Sequence, residues 1–430
     1  MKTTLLVNFN IMVASKLNYI AIVIAGIFAI SCGSKGTNNV NPQDKHDPTN
    51  IEDKSIRQII SDHYDSDVFD FGAAGQMWYT EDLNNVFVKR WLKEFSHNTP
   101  ENDFKQMVIF KSLNSEWRDE NYLKHIRIAR DNGQSIRAHC PIAPQVSSWV
   151  LEDERTAEEL DFMMERFLSN LGADLERNKD VVQWMDVVNE TCTGSVQYGI
   201  GYDGKGTADN VKYEAYDWFG PRLGSNQWEN PWPKLGFMTV TMPEGEFEGE
   251  EFTFPVHIKR AFERANKYAP SIKKIYNDHG LITEKGLWDK VKKTILYLKS
   301  QGIQVDGIGW QAHIPMDWDT PENRKALDDL IKWCHKNDLE FHITELNIVL
   351  DWQKNMDKEL LETRQEQSDA ICAVVETMLQ NVGKGARTIN MWVMNDLHNR
   401  GTFGSLLDKD CNENQAYHDV KKLLIKYKLK

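Results

Sequence analysis

The stretch from Lys273 to Glu345 contains KKIYN (273–277), LWDKVKKTILYLKSQ (287–301), VDGIGWQ (305–311), PENRKALDDLIKWCHK (321–336) and EFHIT (340–344). Three short apolar runs of strand length are separated by two amphipathic stretches of helical length. Such spacing suits parallel strands, which need a long crossover between them. The same alternation continues in both directions. Upstream strands are expected at Val68–Ala74, Glu94–His97, Ser135–His139 and Val181–Val188, and a last one downstream at Thr388–Met394. Helical stretches are expected at Tyr122–Asp131, Ala157–Leu171, His257–Lys267 and Thr363–Asn381. Eight strands alternating with helices predict an α/β fold of the (β/α)8 TIM-barrel type. A doubly wound open sheet is the alternative, but no Gly-rich phosphate loop follows the first strand.

The chain has 430 residues, 27% of them charged and 41% hydrophobic, which fits one barrel-sized globular domain plus a leader. A net charge of −13 without a Lys/Arg stripe argues against nucleic acid as a partner. Fourteen Trp and thirteen Tyr suit a large core, or stacking against sugar rings. The six cysteines show no ligand spacing, so neither a metal nor any other cofactor is expected. Cys140, Cys192, Cys334, Cys372 and Cys411 are scattered and odd in number, which points to buried free thiols. Cys32 stands apart from them.

An uncharged, mostly apolar run from Tyr19 to Ile30 follows Lys16 and precedes Ser31-Cys32-Gly33. This is the pattern of a bacterial lipoprotein signal with lipid on Cys32, although Ile30 sits where a small residue is more usual. Met12 is an alternative start, and an uncleaved membrane anchor is the alternative reading. Residues 1–32 are therefore read as signal, 33–55 as a flexible tether and 56–430 as the catalytic barrel. The expected location is the cell envelope, through a lipid anchor in the membrane, with the protein acting as a monomer.

Barrel chemistry sits at the carboxyl ends of the strands. Those ends carry Asn98-Thr99-Pro100-Glu101-Asn102 with Lys105, then His139, Asn189-Glu190, Asn277-Asp278, Gln311 with His313, and Glu345. A mouth so dense in polar groups suits a ligand rich in hydroxyls. Glycoside cleavage needs one carboxyl to protonate the leaving oxygen and a second carboxylate at the anomeric carbon. Glu190 and Glu345 end the fourth and seventh strands and are placed to converge across the mouth. Gln311 and His313 are placed to orient the nucleophile or the sugar.

These residues resemble glycoside hydrolase family 10, best known for endo-β-1,4-xylanases. The likeness rests on Phe71-Gly72-Ala73-Ala74, Glu101-Asn102 with Lys105, His139, Asp186-Val187-Val188-Asn189-Glu190, Asn277-Asp278, Asp306-Gly307-Ile308-Gly309, Ile343-Thr344-Glu345-Leu346, Trp392 and Ala416-Tyr417. It implies a retaining glycoside hydrolase acting on a β-linked polysaccharide, with Glu190 as acid/base and Glu345 as nucleophile. It implies that Glu101, Asn102 and Lys105 bind sugar on the non-reducing side. His139, Asn189, Gln311, His313 and Trp392 would surround the sugar being cleaved. Three positions depart from the family pattern. No Trp follows in His139-Cys140-Pro141-Ile142-Ala143-Pro144, Arg400 stands where a Trp is usual, and Asn347 replaces an Asp. The Asn347 change removes a charge that would help keep His313 protonated. The missing aromatics allow a wider cleavage subsite for a hexose, a substituted sugar or an anionic one, with Arg400 among the substrate contacts. A non-catalytic surface glycan-binding lipoprotein is a further alternative.

An insertion of residues 191–254 follows the acid/base directly. It carries Tyr198, Tyr202, Tyr213, Tyr216, Trp218, Phe219, Trp228 and Trp232, and an acidic run from Glu244 to Glu251. The expectation is a self-packed subdomain overhanging the leaving-group side, with one or two aromatics as sugar platforms. The acidic run is expected to be a solvated hairpin.

Overall fold

The computed structural model describes residues 53–110, 116–144, 156–192, 218, 231–349, 360–396 and 404–430. Cys32 and the expected signal, the tether up to residue 52, Arg400, and the insertion aromatics other than Trp218 and Trp232 lie outside the described residues. Among the described residues no helix is long and apolar enough to cross a membrane.

The strands are β1 (Asp70–Gly75), β2 (His97–Pro100), β3 (Ser135–Ala138), β4 (Val182–Asn189), β5 (Phe237–Thr241), β6 (Glu251–Pro255), β7 (Lys273–Asp278), β8 (Gly307–Trp310), β9 (His313–Ile314), β10 (Glu340–Ile348) and β11 (Ala386–Met391). Eight of them pair in parallel in the order β1-β2-β3-β4-β7-β8-β10-β11, and β11 pairs back to β1, which closes the barrel. The short β9 continues the ring above β8 by pairing with the end of β10. The hairpin β5–β6 is antiparallel and separate from the barrel sheet.

Helices follow the strands, among them α1 (Ile56–His63), α2 (Val86–Glu94), α3 (Gln106–Ile109), α4 (Glu120–Asp131), α5 (Ala157–Arg177), α6 (Val256–Tyr268), α7 (Lys285–Ser300), α8 (Pro321–Lys336), α9 (Leu360–Gln380) and α10 (Gln415–Lys426). Side-chain caps fix several of their starts. Ser55 with Gln58, and Thr156 with Glu159, form capping boxes, and Thr320 caps α8 ahead of Pro321. On α7 the buried side chains are Leu287, Trp288, Val291, Thr294, Ile295 and Leu298, a stripe at helical spacing turned to the core.

The second strand is displaced from its expected place at Glu94–His97. Glu94 ends α2, because the buried Val88 and Trp91 carry helical spacing up to it. Its carboxylate accepts from the Ile56 amide at 3.0 Å and the Tyr417 hydroxyl at 2.8 Å. The true strand is His97-Asn98-Thr99-Pro100, which is buried yet polar and so lacks an apolar signature. The last strand likewise starts at Ala386 and stops at Met391.

Of the insertion, the structure describes Thr191, Cys192, Trp218 and residues 231–254, the last with a short turn at Trp232–Leu235 and the hairpin. The acidic run forms the hairpin's exposed turn, as expected. Glu250 pairs with Lys293 of α7 at 2.6 Å, and Glu246 accepts from the Trp333 indole of α8 at 2.6 Å. Trp232 is buried, and its indole donates to the Ala143 carbonyl at 3.2 Å, so it is a packing residue. The five described cysteines are free thiols, and Cys140, Cys192, Cys334 and Cys411 are buried.

Candidate active site

Three strands release the chain at the barrel mouth through left-handed residues other than glycine. Cys140 has φ 43°, Glu190 φ 52° and Ala312 φ 57°. Such conformations cost about 1–3 kcal/mol each and persist only where their surroundings hold them. At Glu190 the hold is visible in the next residues. The Thr191 amide and hydroxyl both donate to one oxygen of Asp278, at 3.1 and 2.7 Å. The Thr191 hydroxyl also meets the Tyr276 hydroxyl at 2.8 Å, and His279 Nε2 meets the Cys192 carbonyl at 2.7 Å. Burial pushes the Asp278 carboxyl up to about 6.

Three amide side chains connect the two glutamates. Gln311 Nε2 donates to Glu190 at 3.0 Å and to Asn189 Oδ1 at 3.2 Å. Asn277 Nδ2 donates to the same Asn189 oxygen at 2.7 Å and to Glu345 Oε1 at 2.9 Å. The Asn277 oxygen accepts from Thr344 at 2.7 Å. Space for Asn277 comes from Gly309 on β8. A Cβ there would collide with Asn277 Oδ1 and lie 2.8 Å from Thr344 Cγ2.

Glu345, on β10, is only 3% exposed. His313 Nε2 lies 3.4 Å from one of its oxygens and His139 Nε2 lies 3.8 Å from the other. His139 is backed by Asp186 at 3.0 Å, and Asp186 is paired with the fully buried Arg137 at 2.7 Å. His313 is backed by the neutral oxygen of Asn347 at 2.6 Å, so its Nδ1 carries the donated proton. Burial disfavours charge on Glu345, but His139, His313 and Lys105 outweigh it and hold the carboxyl below its ordinary range. Burial also opposes charge on His139, but Cys140, Glu345 and Asp186 raise it to about 10. His313 is raised too: Glu345, the Asn347 hydrogen bond and Glu190 overcome its burial.

The loop after β2 lies alongside. Gln76, just past β1, donates to Glu101, and Lys105 Nζ donates to Asn102 at 3.0 Å. Lys105 is buried. Its ammonium is raised despite that burial by Cys140, Glu101, Glu345 and Glu190. Asp103 pairs with His125 of α4 at 2.8 Å, which ties the loop to the helix behind it. Trp392 stands edge-on to His139 and His313, with ring centroids 5.1 and 6.4 Å away.

The structure thus gathers Glu190, Glu345, Asn189, His139, Gln311, His313 and Trp392 into one connected cluster. Lys105 joins through its charge and holds Asn102, and Glu101 is bonded to Gln76. Gln311 bonds Glu190 and Asn189. Sequence reasoning gave no role to Asp186, Asn277, Asp278, Thr191 or Arg137. Asp186 had a readable signal: a charge inside the apolar run VVQWMDVV must have a buried partner.

The sequence model of the family described as "Glycosyl hydrolase family 10" matches residues 60–203 and 249–423 of this chain. An endo-1,4-beta-xylanase A of Caldicellulosiruptor saccharolyticus is 27% identical over 341 residues, covering 77% of this chain and 84% of that protein. A beta-1,4-xylanase of Dictyoglomus thermophilum is 23% identical over 393 residues, covering 88% and 93%. Among solved structures, native xylanase 10B from Thermotoga maritima superposes with a TM-score of 0.63 at 22% identity, covering 86% of this chain and 98% of that one. This likeness agrees with the closed parallel barrel. With the family match spanning most of the barrel, the chain belongs to glycosyl hydrolase family 10 and is a glycoside hydrolase.

Proposed function

We propose that the chain is a retaining endo-β-1,4-xylanase, with Glu345 as nucleophile and Glu190 as acid/base. The observation that carries this is the amide chain Gln311–Asn189–Asn277, which joins both carboxylates in one network at the barrel mouth. The names of the relatives support xylan as substrate. Glu345 is the carboxylate that cations keep ionised, as attack on an anomeric carbon requires. Glu190 protonates the glycosidic oxygen as the bond breaks, and a covalent glycosyl-enzyme forms on Glu345. The ionised Glu190 then takes a proton from water, which attacks the same carbon and releases a sugar of unchanged configuration. Asn189 Oδ1 already accepts two hydrogen bonds, which turns its amide NH2 to the remaining side, where it donates to a sugar hydroxyl. Trp392 walls the cleaved sugar beside the two histidines, and Glu101, Asn102 and Lys105 bind the sugar before it.

The test is hydrolysis of xylan followed by oligosaccharide analysis and proton NMR of the first products. Xylo-oligosaccharides appearing first as the β-anomer are expected, with activity abolished in Glu345→Gln. Cleavage of hexose-based or acidic β-glycans with none of xylan overturns the substrate. Glycan binding without any cleavage overturns the enzyme reading for this chain. The proposal includes export with lipid on Cys32, supported by the run Tyr19–Ile30 before Ser31-Cys32. Labelled palmitate incorporated by the full chain in a bacterial host, and lost in Cys32→Ala, is the expected result. Equal labelling of both forms refutes it.

A further inference from the structure

We propose that Trp218 is a positioning residue for Glu190, so that the insertion serves acid catalysis directly. The inference rests on Glu190 being the acid/base. The chain leaves the barrel at Glu190 in a left-handed turn, and the two residues after it are buried. On the barrel side they are pinned by Asp278, Tyr276 and His279. On the other side Cys192 forms an antiparallel β-bridge with Trp218. The Trp218 indole donates to the Thr253 carbonyl of β6 at 3.1 Å, and its ring packs on Phe252 with centroids 6.1 Å apart. Lys290 of α7 places its ammonium 5.0 Å from the Trp218 ring centroid. One residue therefore ties the acid/base turn to the hairpin and to α7. Trp218 falls in 204–248, the stretch that the family match leaves out. A strained turn keeps its shape only while its neighbours determine it. Once unclamped, it lets the Glu190 carboxyl drift from the leaving oxygen, while Glu345 stays fixed on β10. The loss should therefore depend on how much the leaving group needs a proton.

The experiment compares kcat/KM for xylan with kcat/KM for 2,4-dinitrophenyl β-xylobioside, whose leaving group departs unprotonated. For Trp218→Ala, about a 10-fold loss on xylan is expected with less than about a 2-fold loss on the aryl glycoside. Trp218→Phe keeps the ring but loses the indole hydrogen bond. It should fall between, and its ratio decides the matter if Trp218→Ala does not fold. Glu190→Ala, run in parallel, should show the same selectivity at about 10²- to 10⁴-fold, with azide restoring turnover of the aryl glycoside. If Glu190→Ala lacks that selectivity, the acid/base assignment is wrong. If it shows it, but the Trp218 variants lose both activities equally or lose neither, the clamp is refuted.

Discussion

Replacing His313 by Gln keeps a hydrogen-bond donor beside Glu345 and removes a positive charge. The imidazole nitrogen is 3.4 Å from the carboxylate oxygen. At that distance a unit charge pair is worth about 1 kcal/mol in a water-like dielectric and about 5 kcal/mol at an effective dielectric of about 20. With about 1.4 kcal/mol per pH unit, this spans about 1 to 3.5 units. The His313 side chain is 20% exposed, which favours the lower part of the range. Glu345 is held below its ordinary pKa, so losing a cation raises it, and the acid limb of kcat/KM must move to higher pH. A shift of about 1–2 units is expected, because His139 and Lys105 remain. Measuring kcat/KM for the dinitrophenyl xylobioside from pH 3 to 8 isolates this limb, because that leaving group needs no acid. An unmoved limb, or one displaced to lower pH, refutes the idea that His313 keeps the nucleophile ionised.

Asp186→Asn leaves the buried Arg137 without its carboxylate, and about 3–5 kcal/mol of stability should be lost in urea unfolding. Gly309→Ala drives a methyl group into Asn277, which donates to Glu345. The fold should survive while kcat/KM falls about 10-fold or more, the value of one charged hydrogen bond. His139 rises on folding from its ordinary 6.5 to about 10, so its stabilisation is complete below pH 6.5 and is lost as pH climbs to 10. The melting temperature of the wild type should therefore fall more steeply across that window than that of His139→Gln.

The barrel could be read from sequence because most of its strands are apolar and most of its helices amphipathic. The exception was β2, which is polar on both faces: Thr99 donates to Asn390 of β11 and Asn98 meets His125 of α4, while the apolar signal stopped in α2. Glu190 and Glu345 could be placed together at the mouth because they end strands in distinctive runs, DVVNE and ITEL. Their supports were not, because a partner 68 or 88 residues away, as Asn277 is from Glu345 and Asn189, leaves no trace in local spacing. Gln311 could be placed at the barrel mouth, but only the closed ring decides that it meets Glu190 and Asn189. The clamp at Trp218 was beyond sequence reading altogether. It depends on a bridge to Cys192 across 25 residues of insertion.

A closed barrel offers no strand for another chain to extend, whereas the β5–β6 ribbon joins no other strand among the described residues. Trp218 covers the β6 edge at the Thr253 carbonyl, so the outer backbone of β5 is the natural place for a second copy to add a strand and begin aggregating. Glu244, Glu246 and Glu248 lie in the turn of that ribbon and Glu251 opens β6, and two ribbons brought edge to edge would set these charges against each other. Such repulsion would oppose edge-to-edge pairing of two copies along this ribbon, a consequence of the acidic run that needs no ligand.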